Sequence, residues 1–402
     1  MFTIMQALLV SLNLVVASAL ASPVDQHALQ HDDTTPPSSI STSLFASLER
    51  LSRLVDITYC VGTTGISRPF SCVSRCKDFP SLELVTTWNT GVLMTDSCGY
   101  IAVDHNISQV PGMTGQTSGE GGALVVAFRG TYSITNTVID LSTVPQEYVP
   151  YPPPGHDGHE PSEEPQHQCL NCTVHMGFLA SWNIARKEVL SKVKPLHEQY
   201  PKYPIYLVGH SLGGAVAALA ALELKVILGW ENIVVTTFGE PRVGNEGFAD
   251  YLDTVFELKS RRKRVDERTF RRITHVDDPI PLLPLSEWGY RSHSGEFFIS
   301  KAELSPEPSD IRPCVGDYDP KCIAGSAGEN EQLAARTIEQ RMPGGLSIRP
   351  RGLWEIPTRY KLWELLFAHR DYFWRLGLCI PGGDPIDWGR NPYPTITSND
   401  EL

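Results

Sequence analysis

The sequence predicts an α/β fold: a mostly parallel central sheet with helices on both faces. Three observations carry that expectation. Short, continuous runs of β-branched and aliphatic residues recur along the chain, the pattern of strands buried on both faces. Helix-length segments with a three-to-four-residue apolar period lie between them. At one strand-to-helix junction a serine sits between two glycines, in Gly209-His210-Ser211-Leu212-Gly213. Sheets of this kind gather ligand sites at the carboxyl ends of their strands, and the serine falls at such an end.

The elements follow in chain order. The first residues, "MFTIMQALLVSLNLVVASALASPVD", form a signal-sized apolar stretch ending in Ala19-Leu20-Ala21, a small-x-small cleavage pattern, so residues 1–21 are expected to be a secretory signal peptide. Residues 22–43 are polar, rich in Pro, Ser and Thr, and without periodicity, as in a disordered or pro-segment. From Leu44, the spacing Leu44, Leu48, Leu51, Leu54 predicts a helix that opens a single domain over 44–395, with 396–402 as a tail. "ALVVAF" (123–128) is a strand. Residues 145–168 are too proline-dense for regular structure and form a surface insertion. A helix is expected over 177–200, a strand at "IYLVG", a helix hydrophobic nearly all round over 212–228, then strands at "NIVVTTFG" and "FRRITHV".

Composition narrows the function. With 402 residues, 41% of them hydrophobic, the chain can bury a large core. A net charge of −12 argues against a nucleic-acid partner. The one basic run, Lys259 to Arg268, is a solvated loop or, alternatively, a contact for an anionic lipid surface. Nine cysteines suit an oxidising compartment. Cys72/Cys76, Cys169/Cys172 and Cys314/Cys322 are close pairs. Cys60 and Cys379 sit near opposite ends of the folded region and could clasp them, a closure contributing roughly 5 kcal/mol on the loop-entropy model. Cys98 is left as a buried free thiol. Only Cys169/Cys172 has zinc-like spacing and no second pair completes it, so no metal is expected, nor any organic cofactor. His156, Asp157, His159 and Glu160 belong to a flexible acidic loop.

The glycine-flanked serine fits the G-x-S-x-G turn in which a strained backbone lifts the hydroxyl out of the sheet. Side chains two positions either way would collide there. Serine is a weak nucleophile unaided and needs a base with an orienting acid, in the order Ser, Asp/Glu, His. Asp277 and Asp278 end the strand "FRRITHV" and can face the turn. His275, His293 and His369 all follow Ser211, and position alone does not choose among them.

Taken together, "VVAFRGT", "VHMGF", "VGHSLGGA", "TFGEPRVGN" and "ITHVDDPIPLLP", followed by "AHRDYFWRLGLC", resemble the fungal secreted class 3 lipase family, over about Leu44 to Cys379. The resemblance implies an α/β-hydrolase fold and a carboxylic ester hydrolase with Ser211, Asp278 and His369 as catalytic residues. His293 lies in a family stretch that is not catalytic, His275 matches a structural position, and His210 packs beneath the nucleophile. Thr131 and the Leu212 N–H are implied as oxyanion donors; Arg129 and Arg242 lie in family motifs too and are read as structural ion-pair residues. Disulfides Cys60–Cys379, Cys72–Cys76 and Cys169–Cys172 match by position, and Cys314–Cys322 is similar to a loop pair of some members. Sequons occur at Asn106 and Asn171. Asn106 is the expected glycosylation site, because Asn171 lies between two cysteines where modification would be hindered.

In the family the segment after the oxyanion threonine is a lid that opens at a lipid surface. Here Ile134, Val138 and Leu141 fall at i, i+4 and i+7, an apolar stripe suited to a pocket cover and an interface contact. "PLLPLSEW" (281–288) could extend this rim. The chain departs from the simplest family pattern in the 145–168 insertion and in a second one over 325–363. The expected substrate is a triacylglycerol or related acylglycerol, met at an interface by a secreted, extracellular enzyme. A feruloyl-type esterase on the same scaffold is the alternative. A non-catalytic secreted binding protein would be favoured by loss of a triad member, and none is lost.

Overall fold

The computed structural model describes residues 39–91, 95–106, 121–131, 141, 148–150, 169–260, 264–316, 318–324 and 368–387. The expected signal peptide, the lid positions Ile134 and Val138, and most of both insertions lie outside these residues.

Helix α1 (Thr42–Ile57) is capped by Ser41, whose hydroxyl accepts the Leu44 N–H at 3.1 Å. Strands β1 (Leu82–Asn89), β2 (Cys98–Asp104) and β3 (Ala123–Phe128) then run antiparallel. Short strands β4 (Tyr148–Pro150) and β5 (Thr173–His175) precede helix α2 (Met176–Gln199). Next come β6 (Ile205–His210), helix α3 (Leu212–Leu222), β7 (Ile233–Phe238), β8 (Gly244–Asn245) and helix α4 (Glu246–Val255). The described chain continues through β9 (Phe270–His275), β10 (Tyr290–Arg291), β11 (Glu296–Ile299) and β12 (Ile311–Pro313).

The main sheet has the order β1-β2-β3-β6-β7-β9-β11-β12. Its central five strands, β3 to β11, are parallel, and both edges are antiparallel. A strand's side chains alternate between faces, and the two hydrophobic clusters record that alternation. Leu124, Val126, Phe128, Ile205 and Leu207 pack under α2 and α3 with Phe178, Trp182 and Leu219. Val125, Ala127, Tyr206 and Val208 pack on the other face with Leu48, Leu51 and Phe373. Strands buried on both sides are why those segments are continuous apolar runs.

Helix α3 is buried all round, as its composition predicts, but its α-helical part stops at Leu222 and Glu223–Ile227 forms a π turn. Glu223 explains the change: its carboxylate accepts Trp182 Nε1 at 2.9 Å and Arg186 Nε at 2.6 Å from α2. Four disulfides close, Cys60–Cys379, Cys72–Cys76, Cys169–Cys172 and Cys314–Cys322, and Cys98 is a buried free thiol. The first of them ties the segment holding His369 to the end of α1.

Candidate active site

Ser211 joins β6 to α3 with φ 56° and ψ −130°. A non-glycine residue held there costs about 1–3 kcal/mol and persists only where its surroundings enforce it. The two glycines supply the room. A Cβ on Gly209 would stand 2.7 Å from Gly214 N, and one on Gly213 would stand 2.5 Å from the Phe128 carbonyl oxygen. The turn packs so tightly against its own helix and against β3 that neither position tolerates a side chain. Leu212 is the first residue of α3, where backbone N–H groups lack helical partners.

Asp278 follows β9 in a turn closed by its own N–H to the His275 carbonyl at 3.0 Å, and its Oδ1 accepts the Ile280 N–H at 2.9 Å. His369 arrives from the C-terminal segment. Its Nδ1 donates to Asp278 at 3.0 Å (Oδ1) and 2.9 Å (Oδ2), with both side chains fully buried. Burial by itself would raise the Asp278 carboxyl. The His369 charge, the hydrogen bonds from His369 and Tyr372, and the Ile280 N–H together outweigh it and hold the carboxyl below its usual range.

His210 lies beneath this pair. Its ring stacks on His369 with centroids 4.5 Å apart, its Nε2 donates to the His369 carbonyl at 2.7 Å, and its Nδ1 accepts the Tyr59 hydroxyl at 2.6 Å. Burial, then the neighbouring His369, push His210 down to about 3, so it stays neutral. With Nδ1 of His369 committed to Asp278, the lone pair of that ring is on Nε2.

Three atoms then stand out. Ser211 Oγ, His369 Nε2 and Thr131 Oγ1 are all buried and take part in no hydrogen bond. Other buried atoms of the described residues share that state, Thr236 Oγ1 and Thr237 Oγ1 among them, so it is the gathering of these three at one place that calls for a reason. They are neighbours in the fold: Ser211 N–H donates to the Phe238 carbonyl at 2.9 Å, and a Cβ on the next residue, Gly239, would meet His369 Cε1 at 2.7 Å. On the β3 side, a Cβ on Gly130 would meet Ser211 Cβ at 2.9 Å, so Thr131 begins immediately beside the serine.

The other expected residues separate cleanly. His293 Nε2 faces Glu240 at 3.0 Å and its Nδ1 faces the Ser294 carbonyl, away from Asp278. His275 Nδ1 accepts the Asp277 N–H at 3.4 Å. Arg129 donates to the Val61 carbonyl at 2.7 Å, and Arg242 to the Leu282 and Pro284 carbonyls at 2.7 and 3.1 Å, so both pin loops. Leu141 is fully buried in the core under α2. Leu282, Leu283 and Leu285 are buried too, and this part of 281–288 packs inward instead of forming an exposed rim. Asn106 is exposed.

Sequence reasoning missed Tyr372, whose hydroxyl donates to Asp278 Oδ2 at 2.5 Å. Its place three residues after His369 was the available signal. Trp374, two residues further on, donates to Glu49 Oε1 at 2.6 Å and lies under the Arg75 guanidinium.

Residues 125–288 match the family described as Lipase (class 3). The chain is 58% identical to "Secreted mono- and diacylglycerol lipase 2" of Gibberella zeae over 98% of its own length and 97% of that protein's. It is 57% identical to "Lipase A" of Sodiomyces alcalophilus, over 95% and 93% of the two chains. Among solved structures, the Lip2 lipase of Yarrowia lipolytica superimposes with a TM-score of 0.64 at 29% identity, over 86% of this chain and 99% of that one.

Proposed function

The chain belongs to the class 3 lipase family, and from that premise we propose that Ser211, His369 and Asp278 hydrolyse carboxylic esters through an acyl-enzyme. Ser211 Oγ attacks the ester carbonyl carbon while its proton passes to His369 Nε2. The negative charge forming on the carbonyl oxygen is met by the Leu212 N–H and by the Thr131 N–H and hydroxyl. One such donor lowers the barrier by about 3 kcal/mol. Asp278 keeps Nδ1 protonated and stabilises the imidazolium. The tetrahedral adduct collapses, the proton on Nε2 goes to the departing alcohol oxygen, and the acyl group stays on Ser211. Water, deprotonated by the same nitrogen, then releases the carboxylic acid and restores the serine.

The observation that carries this reading is the gathering of three buried atoms without hydrogen bonds, Ser211 Oγ, His369 Nε2 and Thr131 Oγ1, beside the His369–Asp278 pair. They are one nucleophile, one base and one oxyanion donor. The partial-glyceride names of relatives, with the apolar positions Ile134 and Val138 after Thr131, favour acylglycerols presented at a lipid surface, that stretch acting as a lid. The apolar N-terminal segment, the four disulfides and the secreted relatives support an extracellular protein.

A substrate panel tests the assignment. Purified enzyme should hydrolyse emulsified mono-, di- or triacylglycerol faster than soluble methyl ferulate, and the reverse ranking would move the chain to the feruloyl reading.

A further inference from the structure

A second polar site lies on the surface where the Cys169–Cys172 disulfide closes a four-residue turn. Its tip is Leu170, 73% exposed, and Asn171, also exposed. Asn171 has φ 55°, in the left-handed region that asparagine tolerates better than most residues. Its backbone is tied down: the Asn171 carbonyl accepts Asn245 Nδ2 at 2.7 Å, and Asn245 Oδ1 accepts the Thr173 N–H at 3.1 Å. The turn also rests on α4, because a Cβ on Gly247 would stand 2.9 Å from the Leu170 carbonyl oxygen. Beside it opens a surface pocket of about 390 Å³ lined by Thr173, Asn245, Glu246, Gly289 and Arg291.

Asn171-Cys172-Thr173 is an N-x-[ST] acceptor. Read from sequence, the flanking cysteines are an obstacle. In the fold they are the reverse, since the disulfide holds the turn with Asn171 facing outward. We propose that Asn171 is an N-glycosylation site and that the first sugars settle into the adjoining pocket. In the transfer, Asn171 Nδ2 bonds to the anomeric carbon of an oligosaccharide carried on a polyprenyl diphosphate. The carbon–oxygen bond to the diphosphate breaks, the diphosphate leaves with the electron pair, and the amide loses one proton. The pocket offers a guanidinium from Arg291, a carboxylate from Glu246 and a hydroxyl from Thr173, donors and acceptors that suit sugar hydroxyls and an acetamido group. A glycan there also shields Leu170 from solvent.

Secretion from a eukaryotic host, followed by mass spectrometry of the peptide around residue 171, is the test. Enzymatic release of glycan should convert Asn171 to aspartate, and Asn171→Gln should lose one glycan's mass while keeping full ester hydrolysis. Recovery of Asn171 wholly unmodified overturns the site. So does occupancy confined to Cys169→Ser, which would mean that ring closure outruns transfer in the native chain. For the seat, glycan release from the folded protein should be about tenfold faster in Arg291→Ala than in the parent, equivalent to ~1.4 kcal/mol of lost contact. Equal rates would overturn the seat.

Discussion

Gly239 offers the sharpest perturbation of the site, because it touches the acid, its partner tyrosine and the base without being any of them. Its φ is 59°, and a Cβ there would stand 2.6 Å from the Tyr372 hydroxyl, 2.7 Å from His369 Cε1 and 2.9 Å from Asp278 Oδ2, where ordinary contact begins at 3.4 Å. Gly239→Ala therefore incurs two separable costs. The left-handed backbone costs roughly 1–2 kcal/mol of stability, which lowers Tm by several degrees and leaves the protein folded. The methyl group also forces the imidazole and carboxylate apart by roughly half an ångström or more, and misplacement on the scale of 1 Å costs on the order of 10²-fold in rate. Thermal melting and kcat on a short-chain ester, measured on one preparation, separate the two. The expected result is a folded protein with kcat down about a hundredfold. A folded Gly239→Ala enzyme with parental kcat would refute the packing of this triad.

Other outcomes follow from the same contacts. Tyr372→Phe removes one hydrogen bond to a carboxylate, worth roughly 1.5–3 kcal/mol. Because the depressed Asp278 carboxyl contributes stability above its unfolded pKa that is lost as pH falls through the folded value, the variant should begin to lose that stability at higher pH, read by chemical denaturation across an acid series. His293→Gln should retain ester hydrolysis whereas His369→Gln should lose nearly all of it, and the opposite pattern in a kcat comparison would reassign the base. Burial depresses His210 to about 3 and His175, whose Nδ1 accepts the first N–H groups of α2, to about 4. Each contributes stability that is present above about pH 6.5 and lost as pH falls toward its folded value. Buried Asp56, raised to about 6 and held by Arg75 and the Gly377 N–H, acts in the opposite sense, so the net loss between about pH 7 and about pH 4 is a few kcal/mol. A flat denaturation midpoint over that interval would contradict it.

The legible parts of the fold are those where local pattern and tertiary burial agree. Strands β3, β6, β7 and β9 are buried at every position; β3 and β7 are unbroken apolar or β-branched runs, β6 is one up to Gly209, and β9 carries Arg271 and Arg272 between its apolar positions. Strand β1 is half-buried, rich in threonine and shifts register between Leu84 and Thr86, while β11 and β12 are four and three residues long, too short for periodicity to separate them from turns. The π turn at Glu223 is imposed by Trp182 and Arg186 of another helix, which no local window contains. In the site, Ser211 announces itself through its glycines. The choice of histidine does not, because His369 is brought to Asp278 by a chain segment that returns along α1 under the Cys60–Cys379 bond. Tyr372 belongs to the same returning segment, and its place three residues after His369 is the one local signal of its contact with Asp278.

The most direct test is covalent capture of the hydroxyl itself. A lipophilic phosphonate ester incubated with the purified enzyme should leave one adduct, located on Ser211 by peptide mass spectrometry. The adduct should be absent from Ser211→Ala and formed far more slowly in His369→Ala. An active preparation that stays unlabelled, or carries its label on another residue, would contradict the account.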